Sequence, residues 1–276
     1  DVERSRGLGD VYKRQVSPSR QTVLFRCFEN CLSAICRRRM TDERIVYLPE
    51  TDSTNSEIRR RLVECPDMRG GTVVAADFQT AGRGQKGNSW ESQSGKNLLF
   101  SILLRPRRMA AAHSFILSQL VSLSIVEVLG RYIPDVSIKW PNDIYYRDRK
   151  LVGILIENDM QGVDVALSIV GIGVNVNQIH FLSSAPNPVS LAQVLGYEVD
   201  RDMLLGQLVD AITTSLETYS PAYDTSVSLA YMRVLYRSKG FHDYFDVLAQ
   251  ESIRAEVVGV EPSGRLSLRT DTGYIL

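Results

Sequence analysis

Residues 72–90, TVVAADFQTAGRGQKGNSW, join an apolar, strand-like run to a loop that carries three glycines and two cations. Glycine allows the backbone to approach a ligand closely, and Arg83 and Lys86 supply positive charge. At the end of a buried strand, such a loop can surround an anion with backbone amides and cations. The segment predicts a core strand followed by an anion-binding loop, with a simple turn as the alternative. Trp90 closes the loop and is typical of either a core anchor or a stacking platform.

The composition is that of a globular chain, with 276 residues of which 44% are hydrophobic. Residues 1–39 hold nine Arg or Lys against four Asp or Glu, so the remainder is acidic and does not favour a nucleic-acid surface. We identify no apolar run of the roughly 18–20 residues that cross a bilayer, and we expect a soluble, cytoplasmic protein. The cysteines are typical of a reduced compartment, and Cys27, Cys31 and Cys36 lack a fourth ligand for a metal site.

The chain from Arg44 onward alternates strand and helix patterns. Short apolar runs predict strands at residues 45–48, 72–78, 97–104, 136–140, 143–146, 151–157 and 165–176. Thr54 and Glu57 have the spacing of a capping box, which predicts the start of a helix there. Apolar residues at helical spacing predict two further helices, one at residues 111–129 and one around Leu204, Leu208, Ile212 and Leu216. This pattern predicts an α+β fold with a central mixed sheet flanked by helices.

Three segments are predicted along the chain. Residues 1–39 show no periodicity and precede Met40, so we expect a non-native or disordered extension. Residues 40–237 form the main domain. Residues 238–276 contain strand patterns on both sides of a turn at residues 261–264 and predict a small, partial β module. The last strand pattern resembles half of a hairpin, and we expect about one or two strands to be missing there.

Polar side chains suited to a ligand occur on both sides of the glycine loop. Ser53, Thr54 and Asn55 offer hydroxyl and amide groups at a helix start, where they either bind a polar ligand or simply cap the helix. Gln79 adds an amide before the loop. Lys139 ends a strand and precedes a proline, which fixes its position. Such a lysine can hold a carboxylate and the charge that develops as it attacks a phosphate, although a surface lysine is the simpler interpretation.

Further candidates follow Lys139. Asn142 and Asp143 have oxygen ligands suited to Mg²⁺ or are turn formers after proline. Lys150 begins another strand, in which Gly153 permits close approach of a second group. Residues 171–177, GIGVNVN, lack the third glycine and the helix of a dinucleotide fingerprint. The sequence also lacks a Walker A motif, a Ser/His/Asp hydrolase elbow and histidines at metal-ligand spacing.

Together these motifs resemble those of the biotin protein ligases over about residues 44–276. Five segments carry the resemblance in the family's order and approximate spacing: DSTN at 52–55, QTAGRGQKG at 79–87 with Trp90, KWPND at 139–143, KLVGIL at 150–155 and GIGVNV at 171–176. The resemblance implies a class II synthetase-like catalytic domain and an SH3-like C-terminal module, in a form without the N-terminal DNA-binding domain of some members.

The resemblance also implies a reaction. Biotin and ATP, with Mg²⁺, give biotinyl-5′-AMP, and the biotin is then transferred to a lysine of a biotin carboxyl carrier protein, such as that of acetyl-CoA carboxylase. We expect no nucleic-acid or membrane partner, and either a monomer or a homodimer. Two alternatives are lipoate or octanoyl transfer on the same fold and a non-catalytic biotin-sensing repressor.

The resemblance assigns roles by motif position. The implied catalytic residues are Lys139 and Arg83. The implied biotin-binding residues are Ser53, Thr54, Asn55, Gln79, Arg83, Gly84, Gln85 and Lys139. Weaker candidates for the ATP side are Lys86, Trp90, Asn142, Lys150 and Asn175, with Mg²⁺ near Asn142 and Asp143. Many relatives carry Arg at the position of Gln85, and a neutral amide there weakens the electrostatic hold on the adenylate.

Overall fold

The computed structural model describes residues 44–85, 88–107, 109–182, 187–246 and 249–275. The predicted extension at residues 1–39, with its three cysteines, therefore lies outside the described residues. So does Lys86, a candidate for the ATP side.

A seven-stranded mixed sheet forms the centre of the protein, in the order β1-β2-β3-β7-β6-β5-β4. The strands are β1 (Ile45–Thr51), β2 (Val73–Gln79), β3 (Leu98–Leu104), β4 (Val136–Lys139), β5 (Asp143–Tyr146), β6 (Arg149–Gln161) and β7 (Asp164–Val174). β1 and β2 are parallel, and the other neighbouring strands are antiparallel. The predicted central mixed sheet is confirmed.

Five α-helices occur in the described part of the chain. They are α1 (Thr54–Glu64), α2 (Phe115–Leu129), α3 (Leu191–Leu195), α4 (Arg201–Thr218) and α5 (Asp224–Arg233). Short 3-10 helices at Ala111–His113 and Pro221–Tyr223 precede α2 and α5. Ile58 of α1 is fully buried against Val74, Leu103 and Ile169 of the sheet, which fixes the start of α1 near the strand ends.

The hydrophobic helix of the core corrects one prediction. Ala111–Leu129 is long and apolar enough to cross a membrane by length and composition, whereas no such stretch was expected. In the structure most of this stretch is buried inside the protein, as in the core helix of a globular protein.

A second sheet of three antiparallel strands lies at the C-terminal end, in the order β10-β9-β8. Its strands are β8 (His242–Asp246), β9 (Glu251–Val260) and β10 (Leu266–Thr270). The predicted small β module is therefore present, and β8 is a strand that the sequence analysis did not identify.

The predicted capping box at the start of α1 is wrong. The N-cap residue is Ser53, which makes no side-chain capping bond, and Thr54 is already helical. Glu57 forms ion pairs with Arg60 and Arg61 at 2.8 Å instead of reaching back to the cap. The oxygen that accepts from the first helical amide comes from Gln79 on the neighbouring strand, so tertiary structure replaces the local motif.

Candidate functional site

A cavity of about 290 Å³ opens where β1 and β2 end. Because these strands are parallel, the segment after β1 and the loop after β2 leave the sheet at the same edge. The cavity is lined by Ser53, Thr54, Asn55, Gln79, Arg83, Gly84, Gln85, Asn88, Ser89, Trp90, Trp140, Pro141, Asp143, Lys150, Gly153, Ile154, Leu155, Gly171, Ile172 and Gly173. The structure thus brings together most of the predicted site residues, including all three polar residues at the start of α1.

Residues 53–55 at the start of α1 are buried, and the side chains of Thr54 and Asn55 are held by hydrogen bonds. Gln79 Oε1 accepts from Thr54 N at 2.8 Å and from Thr54 Oγ1 at 3.1 Å. Ser53, Thr54 and Asn55 are all less than 10% exposed, at 6%, 3% and 2%. Thr54 therefore helps to tie α1 to β2, and its hydroxyl has a fixed orientation toward Gln79.

Asn55 is held by two residues that the sequence analysis missed. Ser101 Oγ donates to Asn55 Oδ1 at 2.6 Å, and Asn55 Nδ2 donates to Glu157 Oε2 at 3.2 Å. A β-carbon on Gly171 would lie 2.4 Å from Asn55 Oδ1, so only glycine leaves room for this amide. Ser101 is the polar residue of the apolar strand LLFSILL, and that exception was the available signal.

The glycine loop is a tight turn with internal hydrogen bonds. Gly84 N donates to Asn88 O at 2.6 Å, and Trp90 N donates to Gly82 O at 3.0 Å. Arg83, which is about half exposed, lies 3.4 Å from Glu157 Oε1. The cation expected to meet an anionic ligand is therefore paired with a carboxylate in this structure.

Gln85 connects the loop to the far wall of the cavity. Its Nε2 donates to Asn142 Oδ1 at 2.7 Å and to the carbonyl oxygen of Ile154 at 3.3 Å. Asn142 is 5% exposed, so this bond lies in a protected environment. The neutral amide at position 85 thus makes contacts within the protein.

The ring of Trp90 occupies a slot formed by two glycines. Gly153 and Gly173 are cross-strand partners on β6 and β7. A β-carbon on Gly153 would lie 2.5 Å from Trp90 Cζ3, and one on Gly173 would lie 2.5 Å from Trp90 Cε2. Among the described residues, Trp90 Nε1 is one of the buried polar atoms without a hydrogen-bond partner. The ring therefore packs as an anchor, and its N–H is free to donate to a ligand.

Lys150 is a cation of the cavity wall. Its Nζ lies 2.6 Å from Asp143 Oδ2 and 5.8 Å from the centre of the Trp90 ring. Asn175 is buried next to it, with Nδ2 3.5 Å from Lys150 O and with Oδ1 unpartnered within the described structure. Lys150 was predicted as a weaker candidate for the ATP side, and the structure places it in the lining of the cavity.

Lys139 lies in a different place from the other candidates. Its Nζ donates to the hydroxyl of Tyr145 at 3.1 Å and lies 4.9 Å from the centre of that ring. It lines a neighbouring cavity of about 980 Å³ that is also lined by residues of the C-terminal sheet. The structure does not bring Lys139 into the 290 Å³ cavity, and its catalytic role stays a prediction.

The predicted magnesium position does not fit a protein-held ion. Asn142 Oδ1 accepts from Gln85, and Asp143 is neutralised by Lys150. In the described ranges, no three His, Cys, Asp or Glu side chains are grouped as ligands for a metal. A hard cation needs several oxygen ligands, which this turn does not supply from its own side chains.

Asp52 precedes the N-cap residue of α1 and forms a partly exposed ion pair with Arg60. Arg60 Nη2 donates to its carboxylate at 2.7 Å, and this bond holds the pKa of Asp52 well below its usual range. The Arg60 guanidinium is correspondingly held in its charged form. The pair stabilises the turn that leads from β1 into Ser53 and Thr54.

Comparisons with known proteins identify the family to which this chain is similar. The family described as the biotin/lipoate A/B protein ligase family matches residues 47–175. The bifunctional ligase/repressor BirA of Salmonella typhimurium is 35% identical over 177 residues, which are 63% of this chain and 54% of that protein. The chain thus spans about half the length of this relative.

Two further matches cover more of the compared protein. The biotin–[acetyl-CoA-carboxylase] ligase of Paracoccus denitrificans is 35% identical over 188 residues, which are 62% of this chain and 74% of that protein. The solved structure of the biotin protein ligase from Aquifex aeolicus in complex with biotin and ATP has a TM-score of 0.68 and 28% identity, over 85% of this chain and 95% of that chain. The chain described here belongs to the biotin protein ligase family.

Proposed function

We propose that the protein activates biotin with ATP and transfers it to a lysine of a biotin carboxyl carrier protein. In the first step a biotin carboxylate oxygen attacks the α-phosphorus of ATP, a P–O bond forms, and pyrophosphate leaves. In the second step the neutral amine of the acceptor lysine attacks the acyl carbon. An amide forms, AMP leaves, and the amine releases a proton. The relatives named as biotin ligases support this proposal.

The observation that carries the proposal is the meeting of polar and cationic groups in one cavity. Ser53, Thr54 and Asn55 offer buried hydroxyl and amide groups to the ureido head of biotin. Arg83 and Lys150 lie along the same cavity and supply charge for the carboxylate and the phosphates. Bringing two anions together requires such cations, because their mutual repulsion otherwise opposes the approach.

Arg83 has a carboxylate partner that an anionic ligand would replace. Its pair with Glu157 spans 3.4 Å and is partly exposed, so exchange of partners costs little. Glu157 also accepts from Asn55, which keeps the carboxylate in place after Arg83 moves. Binding of the ligand would thus draw Arg83 from Glu157 toward the new negative charge.

Magnesium enters this proposal with ATP as part of the substrate. Mg²⁺ keeps several waters and is commonly held by substrate phosphates and few protein groups. No step is therefore assigned to a metal ion held by Asn142 and Asp143. We propose that the protein contributes Lys150 and Arg83 on the side of the phosphates.

The test is transfer of labelled biotin to a carrier domain with MgATP. Arg83→Ala and Lys150→Ala are expected to lower transfer by about 100-fold, as loss of one oriented donor does. Lys96→Ala is the matched control, because Lys96 pairs with Glu198 at 2.7 Å and does not line the cavity. Lys139→Ala tests the role that the sequence motif predicts. Unchanged transfer in both the Arg83 and Lys150 variants would refute the site assignment, and unchanged transfer in Lys139→Ala would refute the role that the motif predicts.

The alternatives give different results in the same experiments. Competition between biotin and lipoate separates biotin transfer from lipoate or octanoyl transfer. A non-catalytic sensor would bind biotin but release no pyrophosphate from ATP. The prediction that nucleic acid is not a partner is tested by a gel shift with operator-like DNA. A cytoplasmic location and a monomeric or homodimeric state stay proposals.

A further inference from the structure

The hairpin turn of the C-terminal sheet contacts the wall of the candidate cavity. Gly264 lies in this turn, between β9 and β10, with a φ of +90°. Its carbonyl oxygen accepts a hydrogen bond from Trp140 Nε1 at 2.8 Å. Trp140 follows β4 and lines both the candidate cavity and the cavity next to the C-terminal sheet. The small sheet therefore reaches the site through this contact.

The turn that contains Gly264 lies against Phe115, whose ring packs on Tyr231. Tyr231 in turn holds Pro141, the residue that follows Trp140. A β-carbon on Gly264 would lie 2.7 Å from Phe115 Cδ2 and 3.3 Å from Phe115 Cβ. The Phe115 ring meets the Tyr231 ring edge to face, with centroids 5.8 Å apart. The Tyr231 hydroxyl donates to the carbonyl oxygen of Pro141 at 2.7 Å. Burial raises the pKa of Tyr231, so the hydroxyl keeps the proton that it donates.

Residues 140–142 are consequently held from two directions. Trp140 donates a hydrogen bond to the turn of the C-terminal sheet, and the carbonyl oxygen of Pro141 accepts one from Tyr231 of α5. Asn142 comes next and accepts from Gln85 of the glycine loop at 2.7 Å. A continuous series of contacts therefore runs from the C-terminal hairpin to Gln85, which lines the cavity.

We propose that Gly264 and Trp140 are positioning residues through which the C-terminal hairpin fixes residues 140–142 and, by way of Asn142, holds Gln85 in the wall of the cavity. The inference rests on the proposed function, because this cavity is the place proposed for the activated biotin. The groups assigned to the biotin head lie at the start of α1 and are bonded to β2 and β3. Disturbing the hairpin contact therefore leaves the groups that bind the biotin head in place and speeds escape of biotinyl-5′-AMP.

The test compares two glycines with the same backbone conformation. Gly264 and Gly273 both have a φ of +90°, but a β-carbon on Gly273 meets nothing within 4 Å. Gly264→Ala and Gly273→Ala therefore share the backbone strain, and only the first pushes against Phe115. We expect biotin affinity, measured by calorimetry, to agree within about twofold between them. We expect Gly264→Ala to release labelled biotinyl-5′-AMP about tenfold faster, the effect of about one hydrogen bond.

Trp140→Phe provides a second variant that keeps the ring and removes the donor. This variant is expected to speed release of biotinyl-5′-AMP by a smaller factor than Gly264→Ala. The double variant is expected to release it no faster than Gly264→Ala alone, because both changes break the same contact. Release rates in Gly264→Ala and Trp140→Phe equal to that of Gly273→Ala would overturn the positioning role. A parallel loss of biotin affinity would also overturn it, since that result indicates a general defect. A wild-type protein that forms no activated biotin would instead refute the proposed function.

Discussion

Gly173→Ala is expected to displace the Trp90 ring and the end of the glycine loop. A β-carbon at this position would lie 2.5 Å from Trp90 Cε2 and 2.7 Å from Trp90 Nε1. Carbon atoms in contact are about 3.5 Å apart, so the ring must withdraw by about 1 Å. The opposite edge of the ring already packs on Gly153, so the displacement carries the ring away from the sheet. Because Trp90 N donates to Gly82 O, the loop follows the ring.

The magnitude of this change follows from overpacking and misplacement. Forcing extra volume into a packed site costs about 1–3 kcal/mol of the free energy of unfolding. A displacement of about 1 Å in a catalytic site can cost about 100-fold in rate. Urea unfolding measures the first effect, and pyrophosphate release from MgATP in the presence of biotin measures the second.

Gly259→Ala is the matched control for this prediction. Gly259 also lies in a strand, and a β-carbon there meets nothing within 4 Å. We expect this variant to keep the wild-type free energy of unfolding within about 0.5 kcal/mol, as remote surface changes do. If Gly173→Ala and Gly259→Ala behave alike in both assays, the glycine slot does not position Trp90 and the reasoning is wrong.

Two further predictions concern the groups around the start of α1. Gln79→Leu removes the acceptor of Thr54 N and is expected to lower the free energy of unfolding, measured with urea, by about 1–3 kcal/mol. Gln79→Glu keeps an acceptor and should lose less of this free energy. Equal losses in the two variants would contradict the role of Gln79. Arg60 lowers the folded-state pKa of Asp52, so this carboxylate contributes stability above its unfolded pKa of about 3.9 and loses the contribution as the pH falls through the lower folded value. The urea midpoint of the wild type should therefore fall more steeply below about pH 4 than that of Asp52→Asn, and parallel curves would argue against the pair.

Local patterns were sufficient for most of the sheet and for the polar clusters. The run at residues 72–78 became β2 at Val73–Gln79, because a continuous apolar segment bounded by turn residues is stable mainly as a buried strand. β8 was not predicted because its sequence HDYFD alternates half-buried and exposed residues and has no apolar run. The capping box failed because Gln79, distant in sequence, supplies the acceptor that the local motif was expected to supply.

The amino-acid sequence by itself determined the order of the motifs, the kinds of polar and cationic groups available, and the strands that carry them. Only the tertiary structure decided that Lys150 lines the cavity while Lys139 lies beside Tyr145. The physical reason is the pairing of β4, β5 and β6, which places Lys139 opposite Asp143 and Lys150 opposite Tyr145. Within this arrangement the amine of Lys139 contacts Tyr145, whereas the amine of Lys150 contacts Asp143. Such long-range pairing, with its register irregularity between Ile144 and Tyr145, is not encoded in the spacing of the motifs.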